Sequence, residues 1–97
     1  MQLETMTWGD LSLHAITRLQ DGLVLRFARH EWGLNITYVV RCLAPQTVRI
    51  ALEGTRWLTW TGDVKTSEGQ HDLFLDFASE GELRVVCGSL CIERETP

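Results

Sequence analysis

The sequence predicts an all-β domain, an antiparallel β-sandwich or partly open barrel of seven to eight short strands. Three observations carry this. Apolar residues alternate with polar ones in run after run. Turn-forming residues separate these runs at about the 8–12-residue spacing of all-β domains. No segment sustains three turns of helical periodicity.

The runs follow in order. Leu11, Leu13 and Ala15 share a face of the first strand, and Leu23, Leu25 and Phe27 share a face of the second. Asp21-Gly22 between them reads as a tight hairpin turn. His30-Glu31 starts the next turn. Ile36, Tyr38, Val40 and Cys42 then line a third strand, and Val48, Ile50 and Leu52 a fourth. Ala44-Pro45-Gln46 is expected to break the chain between them, because proline cannot donate to a ladder. Glu53-Gly54 is another turn. The threonines of "TRWLTWTGD" (residues 55–63) favour a strand there, and Gly62 to Gln70 is the longest polar loop. Leu73, Leu75 and Phe77 face inward on the next strand, with Asp72 and Asp76 outward. Ser79-Glu80-Gly81 turns the chain into Leu83, Val85 and Cys87. Gly88-Ser89 is a turn before a short last strand, Leu90 to Glu93.

"LVLRFA" at 23–28 echoes "LFLDFA" at 73–78, and "TWGD" at 7–10 echoes "TWTGD" at 59–63. A duplicated half-domain would produce this, and so would any half-buried strands.

The chain of 97 residues forms a single domain, 1–97. Its apolar fraction of 44% fits a folded globule. No apolar run approaches the ~18 residues of a membrane span. "MQLETMTWGD" lacks the basic and apolar regions of a signal peptide, so a cytoplasmic location is expected. Cys42, Cys87 and Cys91 are an odd number in such a chain, and each is flanked by apolar residues. Buried, reduced structural thiols are expected.

Net charge is −4 and uneven, with nine acids against four bases in residues 50–97. No basic stripe exists, which disfavours nucleic-acid binding through phosphates. Asp63, Glu68, Asp72, Asp76, Glu80 and Glu82 gather an acidic surface that could steer a basic partner. A purely solubilising face is spelled the same way.

Trp57 and Trp60 are three apart. On a helix they would share a face, but on a strand they point to opposite faces. One is therefore expected in the core and the other outside as an interface anchor. Trp8 and Trp32, each before glycine, are expected to pack in the core or over turns.

His14, His30 and His71 form no local ligand pair, so no metal is expected. No serine sits in a nucleophile elbow, and no glycine-rich phosphate loop appears. No catalytic residues and no cofactor are expected.

The order "WGDLSLH", "LVLRF", "VRIAL", "HDLFLDF" and "ELRVVCGSLCIERE" resembles small bacterial all-β families of uncharacterised or toxin-immunity type. Trp8, His14, His71 and Cys87 are the residues that carry the likeness. It implies a protein that binds and neutralises a partner protein, with no catalytic residues to carry over.

The sequence thus points to a non-enzymatic protein-binding module, of immunity or regulatory-inhibitor type, with Trp57, Trp60, Asp63, Asp72 and Asp76 as binding residues. The partner is another protein, and edge strands make a homodimer possible. A small-ligand binder, for example of carbohydrate, using an exposed Trp is the alternative. An acidic inhibitor mimicking nucleic acid is a third reading.

Overall fold

A computed structural model describes residues 6–54 and 57–95. The described residues form six strands: β1 (Ser12–Leu19), β2 (Gly22–Glu31), β3 (Leu34–Leu52), β4 (Thr61–Ser67), β5 (Gln70–Asp76) and β6 (Gly81–Glu95). All pairings are antiparallel, in one open sheet of order β1-β2-β3-β6-β5-β4. The all-β class is as expected. The separate sheets of a sandwich and the count of seven to eight strands are replaced by this single six-stranded sheet.

Two expected breaks are not breaks. β3 runs through Pro45 with an irregularity between Pro45 and Thr47, opposite Cys87 and Val86 of β6. β2 pairs with β3 only as far as Leu43, so among the described residues β3 has no second neighbour at Pro45. There its missing N–H costs the ladder little. β6 likewise continues through Gly88-Ser89. Each of these long strands therefore carries two of the expected short ones.

The expected loop at 62–70 is the β4–β5 hairpin, turning on Glu68 (φ 51°) and Gly69 (φ 77°). Two positive φ values in a two-residue connection make a type I′ turn, whose twist matches that of paired strands. The β1–β2 hairpin is as expected, but its turn falls on Gln20-Asp21, one residue earlier, and Gly22 already pairs with Leu19. The β2–β3 turn falls on Trp32-Gly33, two residues later than expected, with φ 52° and 78°.

Inward faces follow the alternation. Leu23, Leu25, Phe27, Ile36, Tyr38, Val40, Cys42, Leu73, Leu75, Phe77, Leu83, Val85 and Cys87 are buried in one core cluster. Val48, Ile50 and Leu52 pack against it from the side. Strands from opposite ends of the order share this core, so the sheet curls on itself. Trp8 spans the gap. Its ring meets Phe27 of β2 edge-on at 6.3 Å, and it lies close over Gly62 of β4, where a Cβ would come within 2.5 Å of it. The segment 57–59 bonds to the start of β1, with Thr59 N–H donating to the Leu11 carbonyl at 2.8 Å and Leu13 N–H to that of Trp57 at 2.9 Å.

Cys42 and Cys87 are buried and all three thiols are free, but Cys91 is exposed. Its neighbours Leu90 and Ile92 take the inward positions, and strand alternation turns Cys91 out. Among the described residues, no helix is long and apolar enough to cross a membrane.

Candidate functional site

The outer face of β4, β5, β6 and the second half of β3 presents an ordered grid of side chains. Leu73 and Leu75 point into the core, so Asp72, Phe74 and Asp76 point out. Register then sets their neighbours: Asp63 and Arg84 flank Phe74, and Lys65 and Val86 flank Asp72. Thr61 and Glu82 flank Asp76. Arg49 continues the row beyond Arg84.

Phe74 is 36% exposed. It lies in the lining of a cavity of about 310 Å³ whose other walls are Arg49, Asp63, Lys65, Asp72, Glu82 and Arg84. Arg84 binds Asp72 in a fork, Nε to Oδ1 at 3.0 Å and Nη2 to Oδ2 at 2.7 Å. The hydrogen bonds from Arg84 hold the Asp72 carboxyl below its usual pKa despite partial burial, and the Arg84 and Lys65 charges add to this. The same pair raises the pKa of Arg84. Arg49 and Glu82 approach to 3.8 Å. Among the described residues, Asp63 and Lys65 make no ion pair.

Trp60 stands at the head of this face, 69% exposed, with its amide bonded to the Asp76 carbonyl at 2.8 Å. Trp57 turns the other way and packs against the core, its indole N–H donating to the Glu53 carbonyl at 3.1 Å. Four of the five expected binding residues, Trp60, Asp63, Asp72 and Asp76, therefore belong to one surface, and Trp57 does not. Of the strand expected at 55–63, residues 57–60 form only a bridge, Leu58 to Ser12, while Thr61 to Asp63 open β4; Thr55 and Arg56 lie outside the described residues. Three bases stand among the acids around the cavity, so its charge is balanced.

Sequence reasoning missed two features. Phe74 is an apolar residue in "DLFLDF" between inward Leu73 and Leu75, and its spelling alone does not set it apart from them. The same alternation that turns Asp72 and Asp76 out also exposes Phe74. The second feature is a polar cluster at the open end of the sheet. Tyr38 donates to Glu31 Oε2 at 3.0 Å, and Arg29 binds Glu31 Oε1 through Nη2 at 2.8 Å. Arg29 also donates to the carbonyls of Thr7 at 2.8 Å and Gly9 at 3.1 Å. Its guanidinium carbon lies 5.4 Å from the Tyr38 ring centre. Burial pushes the Glu31 pKa up, but the Tyr38 and Arg29 hydrogen bonds and the Arg29 and Arg94 charges together bring it below the usual value. The signal was in the phase of β2, where Leu23, Leu25 and Phe27 are followed on one face by Arg29 and Glu31.

Trp32 packs neither in the core nor over its turn, against expectation. It is 97% exposed with φ 52°, a left-handed conformation that costs a non-glycine residue about 1 kcal/mol. The I′ geometry demands that conformation of the turn's first residue, and the ring is thereby thrown clear of the sheet.

Among the described residues, no group of three or more His, Cys, Asp or Glu side chains is placed to hold a metal ion. His71 Nδ1 lies 2.9 Å from the Thr66 hydroxyl, and His30 Nδ1 lies 3.1 Å from Asn35 Oδ1. Compared with known protein families, curated proteins and solved structures, the chain matches none.

Proposed function

We propose that the chain is a non-enzymatic protein-binding module, acting in the cytoplasm as an immunity-type or regulatory inhibitor does, through the Trp60–Phe74 face. The observation that carries this is the exposure of Phe74 among charges of both signs, with Trp60, also exposed, just ahead of β4 and bonded to the Asp76 carbonyl. Exposed aromatics give an interface its anchors, and surrounding charges set register and encounter rate. The Asp72–Arg84 fork fixes its own side chains before any partner arrives, which lowers the entropy lost on binding. Asp63 and Asp76 supply acidic positions for a partner's bases.

The test is capture of a partner by tagged wild-type protein against Trp60→Ala and Phe74→Ala. Each variant is expected to weaken binding by about 2 kcal/mol, roughly thirtyfold, without moving the melting temperature. Undiminished capture by both variants would remove the reading.

The size of the cavity supports a second reading, a small-ligand site in which Phe74 stacks a sugar ring and the charged walls bond its hydroxyls. Amide shifts confined to β4, β5 and β6 on adding a panel of monosaccharides would favour it over the first.

A further inference from the structure

The strand β4 ends the sheet order. Past Thr61, nothing among the described residues pairs with its outer edge. The orientation of that edge follows from the turn. Glu68 and Gly69 form a two-residue type I′ connection, which closes on a hydrogen-bonded Ser67–Gln70 pair. Bonding alternates along an antiparallel strand. The backbone groups of Thr61, Asp63, Lys65 and Ser67 therefore face β5, and those of Gly62, Val64 and Thr66 face the open edge.

The side chains beside that edge are self-complementary. Asp63 and Lys65 are two residues apart on the outer face, opposite in charge, and without ion pairs among the described residues. We propose that β4 pairs antiparallel with β4 of a second copy of this chain, on a two-fold axis through Val64.

In that register Val64 faces its own copy, and Gly62 faces Thr66 of the other chain. Both are the positions whose backbone groups point outward, so donors meet acceptors. Asp63 then stands directly opposite Lys65 of the other chain, and Lys65 opposite Asp63. These are non-hydrogen-bonded positions, where facing side chains approach most closely. A shift of one residue in the dyad would put like charges opposite each other or turn the free backbone groups away. Two six-stranded sheets become one of twelve strands. Asp63 and Lys65, which wall the Phe74 cavity on its β4 side, then meet their counterparts of the second copy. The inference goes beyond the binding reading above and does not depend on it.

Charge reversal tests it. Sedimentation equilibrium of the full chain at low salt should show a dimer that dissociates as salt rises. Asp63→Lys alone faces lysine with lysine, and Lys65→Asp alone faces aspartate with aspartate. Each should weaken association by about tenfold or more. The double variant Asp63→Lys/Lys65→Asp restores the opposite pairing and should recover the wild-type dimer. Circular dichroism confirms that each variant is folded. Failure of the double variant to recover, with fold intact, would overturn the proposal. So would a wild-type chain that stays monomeric at about 100 μM, or single reversals without effect on a dimer.

Discussion

Trp57 and Trp60 leave one short segment in opposite directions: Trp57 lies against the core, and Trp60 stands 69% exposed beside Asp76. Three residues of extended chain are enough to separate a structural ring from a surface ring.

Their substitutions should therefore differ. Trp57→Ala is expected to cost about 3 kcal/mol, since it empties a site on the core. Trp60→Ala should stay within about 0.5 kcal/mol of wild type. In Trp60→Phe the acrylamide-quenchable emission should fall, and in Trp57→Phe it should persist. Urea unfolding and quenching of these variants check both statements.

Phe74 and Phe77 make a second contrast within one stretch of chain. Phe77 is 1% exposed and belongs to the core cluster, whereas Phe74 points out. Phe77→Ala should destabilise by about 3–5 kcal/mol, and Phe74→Ala by about 0.5 kcal/mol or less. Equal losses in denaturant melts would contradict the assigned faces.

How much was legible in the sequence follows from the same alternation. Where a strand has one buried face, as in Leu23-Val24-Leu25-Arg26-Phe27, the pattern marks strand and register together. β4 has a polar outer face, a glycine under Trp8 and only Val64 packed inward, so it spells a loop. Pro45 and Gly88-Ser89 read as breaks because a sequence does not show whether a residue has a neighbour on both sides. The charged grid had the same limitation. Asp72 and Asp76 were legible as outward, but their pairing with bases depends on strand order. Arg84 is 12 residues from Asp72 in sequence, yet its guanidinium forks the carboxylate.

The thiols should react unequally. Native protein is expected to give one fast thiol with Ellman's reagent, Cys91, and denatured protein three. Burial, helped by the adjacent Cys87, pushes the Cys42 thiol up to about 12. In the unfolded chain it ionises near about 8.5. The stability it contributes is intact below that pH and is lost as pH rises through the window up to about 12. Cys42→Ala should flatten this alkaline loss.

Acid acts with the opposite sign at Asp72. Its folded pKa is lowered first by the Arg84 hydrogen bonds, so its contribution is present above the unfolded value of about 3.9 and is lost as pH falls through the folded value. Carboxyl-carbon NMR titration should place Asp72 below the usual aspartate range. Arg84→Gln should return it toward that range and reduce the slope of stability with pH on the acid side.

The central claim, that the Trp60–Phe74 face is where another protein docks, is tested most directly by a photo-crosslinking residue placed at position 74, and in a second variant at position 91. Both positions are outward and neither is in the core. Position 74 lies on the proposed face, and position 91 lies on the other half of β6. Irradiation in cells should join position 74 to a second protein of one mass and leave position 91 unjoined. Crosslinks from position 91 with none from position 74 would contradict the account.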